Sequence, residues 1–188
     1  MTATKKRILD VAQEEFSIYG LAGARIDRIA TNARASKERL YAYFGDKTAL
    51  FHAVLDVNLD ELMNLPRRIL PGDDLPGFAV DLFDEICRRP ELQRMAVWGR
   101  LQGDGDRIRA RITGSEVWAR DIESIRRAQA AGTIARCWEP LDLMTLVFGI
   151  AVSWSVAPGV QESAACNAEE IARRRDCVRE AVARLCRP

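Results

Sequence analysis

The sequence predicts an all-α fold. Apolar residues recur at three- and four-residue steps in one segment after another, glycines and prolines fall at helix-length intervals, and no set of segments alternates apolar with polar residues between turn signals as half-buried strands would. A chain of 188 residues, 48% hydrophobic and 29% charged, is globular and long enough to bury a real core. It holds no run of about 18 apolar residues, and Lys5-Lys6-Arg7 leads into an amphipathic stretch rather than an apolar signal core, so a cytoplasmic location without membrane association is expected.

From Thr4 to Tyr19 the stripe Ile8, Val11, Ala12, Phe16 and Tyr19 marks a first helix, with Gly20 as its stop. A short helix over about 25–33 carries Ile26, Ile29, Ala30 and Ala33. After the tight link Asn32-Ala33-Arg34-Ala35, Ser36 offers a side-chain oxygen to start a third helix through Phe44. Gly45 breaks it, Asp46 caps the next, and Leu50, Phe51, Val54, Leu55, Leu59 and Leu62 carry a fourth helix to Pro66. Pro66 to Pro76 reads as a loop. Further helices are predicted over 75–88, 90–102, 105–131, 140–156 and 167–186, with Pro90 and Pro140 in first turns, Gly132 at an end and Pro158-Gly159 between the last two. The domain boundary is placed near residue 47, giving domains 1–47 and 48–188.

Several function classes are excluded. The five cysteines, Cys87, Cys137, Cys166, Cys177 and Cys186, form no Cys-x-x-Cys pair, and Cys177 and Cys186 stand nine residues apart on one helix, so the sequence encodes neither a disulfide framework nor a zinc knuckle. His52 is the sole histidine and takes a packing or surface role; no metal or other cofactor is expected. A nucleophile elbow and a glycine-rich phosphate loop are both missing, which argues against an enzyme. Charge is unevenly spread, nine Lys or Arg against six Asp or Glu over residues 1–50 and nineteen against twenty-one beyond, a mild basic bias that permits nucleic-acid binding.

Three helices within about 45 residues, the last two short and joined by a tight turn, have the layout of a helix-turn-helix whose final helix enters the DNA major groove. The stretch Ile29-Ala30-Thr31-Asn32-Ala33-Arg34-Ala35-Ser36-Lys37-Glu38-Arg39-Leu40-Tyr41-Ala42-Tyr43-Phe44-Gly45-Asp46-Lys47-Thr48-Ala49-Leu50 resembles the signature of the tetracycline-repressor (TetR) family, with its Ile-Ala pair, Ser-Lys start, Leu-Tyr-x-Tyr-Phe core and Lys-x-x-Leu tail. The resemblance covers roughly residues 4–55. It implies a dimeric transcriptional regulator, most simply a repressor, that holds a near-palindromic operator in double-stranded DNA and releases it when the C-terminal domain binds a small molecule. The alternative is a helical adaptor of the same fold that no longer binds DNA.

Leu40 and Phe44 should face inward onto Ile8, Phe16 and Ile29, leaving Lys37, Glu38, Tyr41 and Ala42 outward. Lys37 can donate to guanine, Glu38 can accept from cytosine and Ala42 can touch a thymine methyl. By the resemblance Tyr43 and Lys47 contact phosphate, and Arg25, Arg28, Arg34 and Ser36 complete the expected DNA surface. Two positions depart from the family pattern. Ala24 stands where the family has a capping Thr or Ser, so Arg25 or water must supply the missing partners; Arg34 replaces the turn glycine and is strained if its φ is positive.

Trp98, Trp118, Trp138 and Trp154 all follow residue 90 and suit either core or pocket. The expected pocket for an apolar or aromatic effector uses Phe83, Cys87, Met95, Trp98, Trp118, Ile122, Phe148 and Val152, with Arg100, Gln102 and Glu116 as available polar partners. Segment 141–157 has almost no polar face, and with Ile171, Val178, Ala181, Val182 and Leu185 it predicts a four-helix homodimer interface.

Overall fold

The computed structural model describes residues 2–64, 69–156 and 167–188. Among them are ten helices and no strand: α1 (Ala3–Gly23), α2 (Ile26–Asn32), α3 (Lys37–Phe44), α4 (Lys47–Met63), α5 (Leu75–Arg88), α6 (Pro90–Leu101), α7 (Gly105–Thr113), α8 (Glu116–Ala131), α9 (Pro140–Val156) and α10 (Ala168–Leu185). Pro66, the Pro158-Gly159 break and Cys166 lie outside the described residues. The chain forms two compact units, residues 1–63 with 91–112, and residues 64–90 with 113–188.

In the first unit, the Thr2 hydroxyl accepts from the Lys5 amide to start α1, and the helix yields at Gly20 (φ 63°) as its spacing predicts, with one further turn to Gly23. Glycine is required there twice over. The backbone is left-handed, and a Cβ would lie 2.7 Å from the Trp98 ring of α6, whose indole Nε1 donates to the Ser17 carbonyl at 3.2 Å. Ile8, Ala12 and Phe16 of α1, Ile29 of α2, Leu40 of α3, Leu50, Phe51, Val54, Leu55 and Leu59 of α4, Met95 of α6 and Ile108 of α7 build one core, with Phe16 edge-on to Phe51 at 5.2 Å. The packing units therefore do not divide at residue 47, because the apolar face of α4 continues the core that α1 begins.

Three polar rungs tie α4 to the segment that begins α7. His52 Nε2 meets Asp104 at 3.0 Å, Arg107 forks onto Asp56 at 2.7 and 2.9 Å, and Arg111 forks onto Asp60. Their α4 members stand four residues apart, one turn of helix each.

In the second unit α5 is central, with Phe78, Val80, Leu82, Phe83 and Ile86 buried between α9 and α10. Asp74 caps α5 on the Gly77 amide at 2.9 Å, Pro76 sits in its first turn, and Asn167 caps α10. Gly132 ends α8 in the left-handed region (φ 77°). The single helix predicted over 105–131 is two: Gly114 interrupts it, and the Ser115 hydroxyl accepts from the Trp118 amide to begin α8. Val178 and Val182, assigned above to a subunit interface, are fully buried within their own chain, as are Leu143, Met144, Val147 and Ala151. The large apolar residues that α9 leaves exposed are Leu141, Leu146 and Val156, at 50%, 41% and 54%. Among the described residues no helix is long and apolar enough to cross a membrane, and no cluster suits a metal ion.

Candidate nucleic-acid interface

The α3 helix is short, so its ends fix its orientation. Ser36 takes an extended conformation and accepts from the Arg39 amide at 3.2 Å; Gly45 ends the helix at φ 83°. Leu40 is wholly buried, Phe44 packs half-buried on the same core, and the Lys5 ammonium stands 5.4 Å from the Phe44 ring centre. With that stripe inward, Ser36, Lys37, Glu38, Tyr41, Ala42 and Tyr43 face solvent.

The turn before α3 puts Arg34 at φ 49°, so the strain anticipated for a residue in place of glycine is present. It is held by the Arg34 amide on the Thr31 carbonyl, the Ala35 amide on the Ala30 carbonyl, and Arg7, whose Nε donates to the Ala33 carbonyl at 2.6 Å.

At the start of α2 the capping residue is Arg25, one beyond Ala24, and its side chain makes no cap bond. A buried acid compensates. Glu15 of α1 accepts from the Arg25 backbone amide at 2.8 Å and from the Arg28 fork through two bonds of 2.6 Å, while the Arg28 guanidinium lies 4.2 Å from the centre of the Tyr19 ring. Burial pushes the Glu15 carboxyl up, but the Arg28 fork, the Arg25 amide and the nearby cations prevail and hold it below its ordinary range. Arg28 is thus committed to tying α2 to α1 rather than presented to a phosphate. Lys47 likewise donates to the Ala22 carbonyl at 3.2 Å, closing the end of α1. Arg25 and Arg34 are exposed.

Three further interactions bear on the outward row. Lys37 pairs with Asp27 of α2. The Glu38 carboxyl is held low first by its own backbone amide and then by the Ser36 hydroxyl. The Tyr43 hydroxyl accepts from Thr2 at 3.4 Å. A solvent-facing row of donors, acceptors and aromatic edges on a helix clamped by its neighbours has the chemistry that reading base edges in a major groove requires.

Residues 8–54 match the family described as bacterial regulatory proteins, tetR family, and residues 74–184 match the tetracyclin repressor-like C-terminal domain. The chain belongs to the TetR family. It is similar to the HTH-type transcriptional repressor SCO4008 of Streptomyces coelicolor, 37% identical over 82% of this chain and 79% of that one. The regulator RutR of Escherichia coli is 45% identical over 32% of this chain and 28% of its own. Among solved structures, SCO4942 from Streptomyces coelicolor superposes with a TM-score of 0.80 at 38% identity, covering 99% of this chain and 100% of that one. Salmonella enterica GusR shares the fold, with a TM-score of 0.69 at 20% identity over 97% of this chain and 95% of that one. The protein is accordingly a TetR-type helix-turn-helix transcriptional regulator and not an enzyme.

The sequence-predicted effector residues all fall within the C-terminal TetR domain, but the two packing units divide them unequally. Met95 and Trp98 belong to the first packing unit, where Met95 is fully buried in the core and Trp98 covers Gly20. The other six lie in the second. Phe83 meets Trp154 at 5.8 Å, Trp118 meets Phe148 at 5.9 Å, Ile122 is buried, and Cys87 and Val152 are half-buried. The structure adds Trp154 and Arg174 to that neighbourhood: the guanidinium, 3% exposed and bonded to Glu170 at 3.0 Å, lies 5.5 Å from the Trp154 ring centre.

Sequence reasoning missed Glu15, Arg7 and Asp27. Each acts on a residue ten or more positions away, and nothing in helical periodicity distinguishes such a charge from a solvated one.

Proposed function

We propose that this TetR-type regulator is a ligand-responsive repressor of the cytoplasm, in which a homodimer sets two copies of α3 into successive major grooves of a near-palindromic operator. Residues 1–47 read DNA; residues 48–188 bind effector and dimerise. The observation that carries the reading is the outward row Ser36, Lys37, Glu38, Tyr41, Ala42 and Tyr43 on a helix whose opposite side is locked by Leu40. Base edges are within the chemistry of Lys37, Glu38 and Ala42, while Tyr43, Arg25, Arg34 and Lys47 suit phosphates, Lys47 by exchanging its carbonyl partner. The uncovered Leu141, Leu146 and Val156 of α9 supply apolar area for a two-fold contact.

The effector is a small, mostly apolar or aromatic molecule held near Phe83, Cys87, Trp118, Ile122, Phe148 and Val152. Release is a population shift: the molecule binds the arrangement that does not fit the operator better than the one that does.

Selection of duplexes from a random DNA pool tests the reading. Two inverted half-sites about one helical turn apart are expected among the retained fragments; a pool that stays random would leave only a helical adaptor. A compound found by thermal shift is then titrated with and without the selected duplex, and its affinity should fall on DNA by the factor by which it weakens DNA binding, about 5–150-fold. Equal affinities for every such compound would remove the switch and leave the DNA reading standing.

A further inference from the structure

Lys37 opens the reading helix, and the carboxylate that pairs with it comes from another element, Asp27 in the first turn of α2. Both side chains are exposed, Asp27 at 69% and Lys37 at 53%, which separates this pair from the Glu15–Arg28 pair. Glu15 is buried and satisfies backbone; Asp27 stands at the surface, where its removal leaves core and caps intact.

We infer that Asp27 is a positioning residue for base reading, which holds one donor of the Lys37 ammonium and so directs the other two to a base edge instead of a phosphate. The inference rests on the DNA-reading role of α3 proposed above. An ammonium has three donors and a flexible four-carbon stem, and left alone it follows the nearest negative charge, which on any duplex is a phosphate. The ammonium and its carboxylate together carry no net charge, so the attraction of the pair to phosphate is weakened and its release of counterions reduced. Two donors remain, and guanine presents two acceptors, O6 and N7, in the major groove. Fixing the side chain beforehand also removes part of the entropy that ordering it on DNA would cost. The carboxylate raises the Lys37 pKa, first through the hydrogen bond and then through its charge, so the group stays a donor.

The test compares wild type, Asp27→Asn, Asp27→Glu, Lys37→Met and the Asp27→Asn/Lys37→Met double variant. Each is titrated over a range of salt against the duplex that wild type selects from a random pool and against a shuffled duplex of the same composition. Melting curves identify folded variants, and Asp27→Ala substitutes for Asp27→Asn should that protein fail to fold. Asp27→Asn should reduce the ratio of shuffled to selected dissociation constants about two- to tenfold and steepen the salt slope on shuffled DNA by about one. Asp27→Glu should restore part of the ratio, and Asp27→Asn should do nothing further once Lys37 is Met. The inference is overturned if the ratio holds or rises, or if it falls as much in the Lys37→Met background, since the carboxylate would then act as diffuse repulsion. Wild type that selects no duplex would remove the DNA reading and this inference with it; wild type that selects one while Asp27→Asn keeps its ratio removes this inference alone.

Discussion

Arg34 holds a left-handed backbone (φ 49°) that an L side chain adopts at a cost of about 1–2 kcal/mol. Glycine avoids that cost but loses more entropy on folding, so Arg34→Gly is expected to raise stability by about 0.5–1 kcal/mol. Urea unfolding should show a higher midpoint with an unchanged slope; a lower midpoint would mean that the arginine side chain holds the turn. The same variant should bind every duplex less tightly, with a salt slope lower by about one, because a candidate phosphate cation is gone. Glu15 gives a pH-dependent counterpart. Its folded pKa lies below the ordinary 4.5, so the stabilisation is fully present above that value and is lost as pH falls through the folded value. The stability gap between wild type and Glu15→Gln should be flat near neutrality, about 1–3 kcal/mol for charged hydrogen bonds, and close on acidification. A gap that widened in acid would contradict the assignment. The Arg34 strain was legible because the glycine of the family turn was visibly replaced. Glu15 was not, since the partner of a buried acid is set by how α1 and α2 cross, 10 and 13 residues apart in sequence.

At the scale of elements, caps and breakers made the helices legible. Ser36, Gly45 and Asp46 each perform the role their side chains suggest, the Asp46 carboxylate accepting from the Ala49 amide at 2.7 Å. The α7–α8 break is not legible from periodicity, because the arginine-rich stretch from Gly105 to Thr113 joins smoothly in pattern to the next helix across Gly114 and Ser115. Gly20 offers the sharpest test among the elements. Gly20→Ala combines a left-handed residue with a Cβ 2.7 Å from the Trp98 ring, and about 2–4 kcal/mol of destabilisation is expected by thermal or urea unfolding. If the clash is the larger part, adding Trp98→Leu should recover some of the loss. If strain alone matters, the second change should only add the loss of the indole bond to Ser17. The Arg107 and Arg111 rungs, both partly exposed, should each contribute less than about 1 kcal/mol and weaken with salt.

For the molecule as a whole, the helical class and the family were legible from one stretch of about twenty residues, whereas the faces of the later helices were not. An apolar helix declares that it must be covered but not by what. Val182 shows this, because the interface residue of the sequence reading is buried within its own chain, on a helix that packs against α5 and α9. The surface test therefore moves to Leu146, 41% exposed on α9. Leu146→Glu should leave the fold near wild-type stability while shifting light-scattering mass from twice the 21.1 kDa chain toward one chain at micromolar concentration, and operator affinity should fall with it. A wild-type protein that scatters as a single chain would remove the dimer.

The shortness of α3 limits how much any such dimer can know about its target. Eight residues of helix span about 12 Å, close to the width of the major groove, and at about 3.4 Å per step they face about four base pairs. Two copies therefore spell a word of about eight letters, roughly 16 bits, which chance alone writes about once in 65,000 positions. Against the roughly 10⁶ or more competing sites of a genome, that vocabulary leaves on the order of ten or more accidental matches. The remaining information has to be held by the DNA itself, in how readily the untouched base pairs between the half-sites bend and narrow to meet a protein of fixed span.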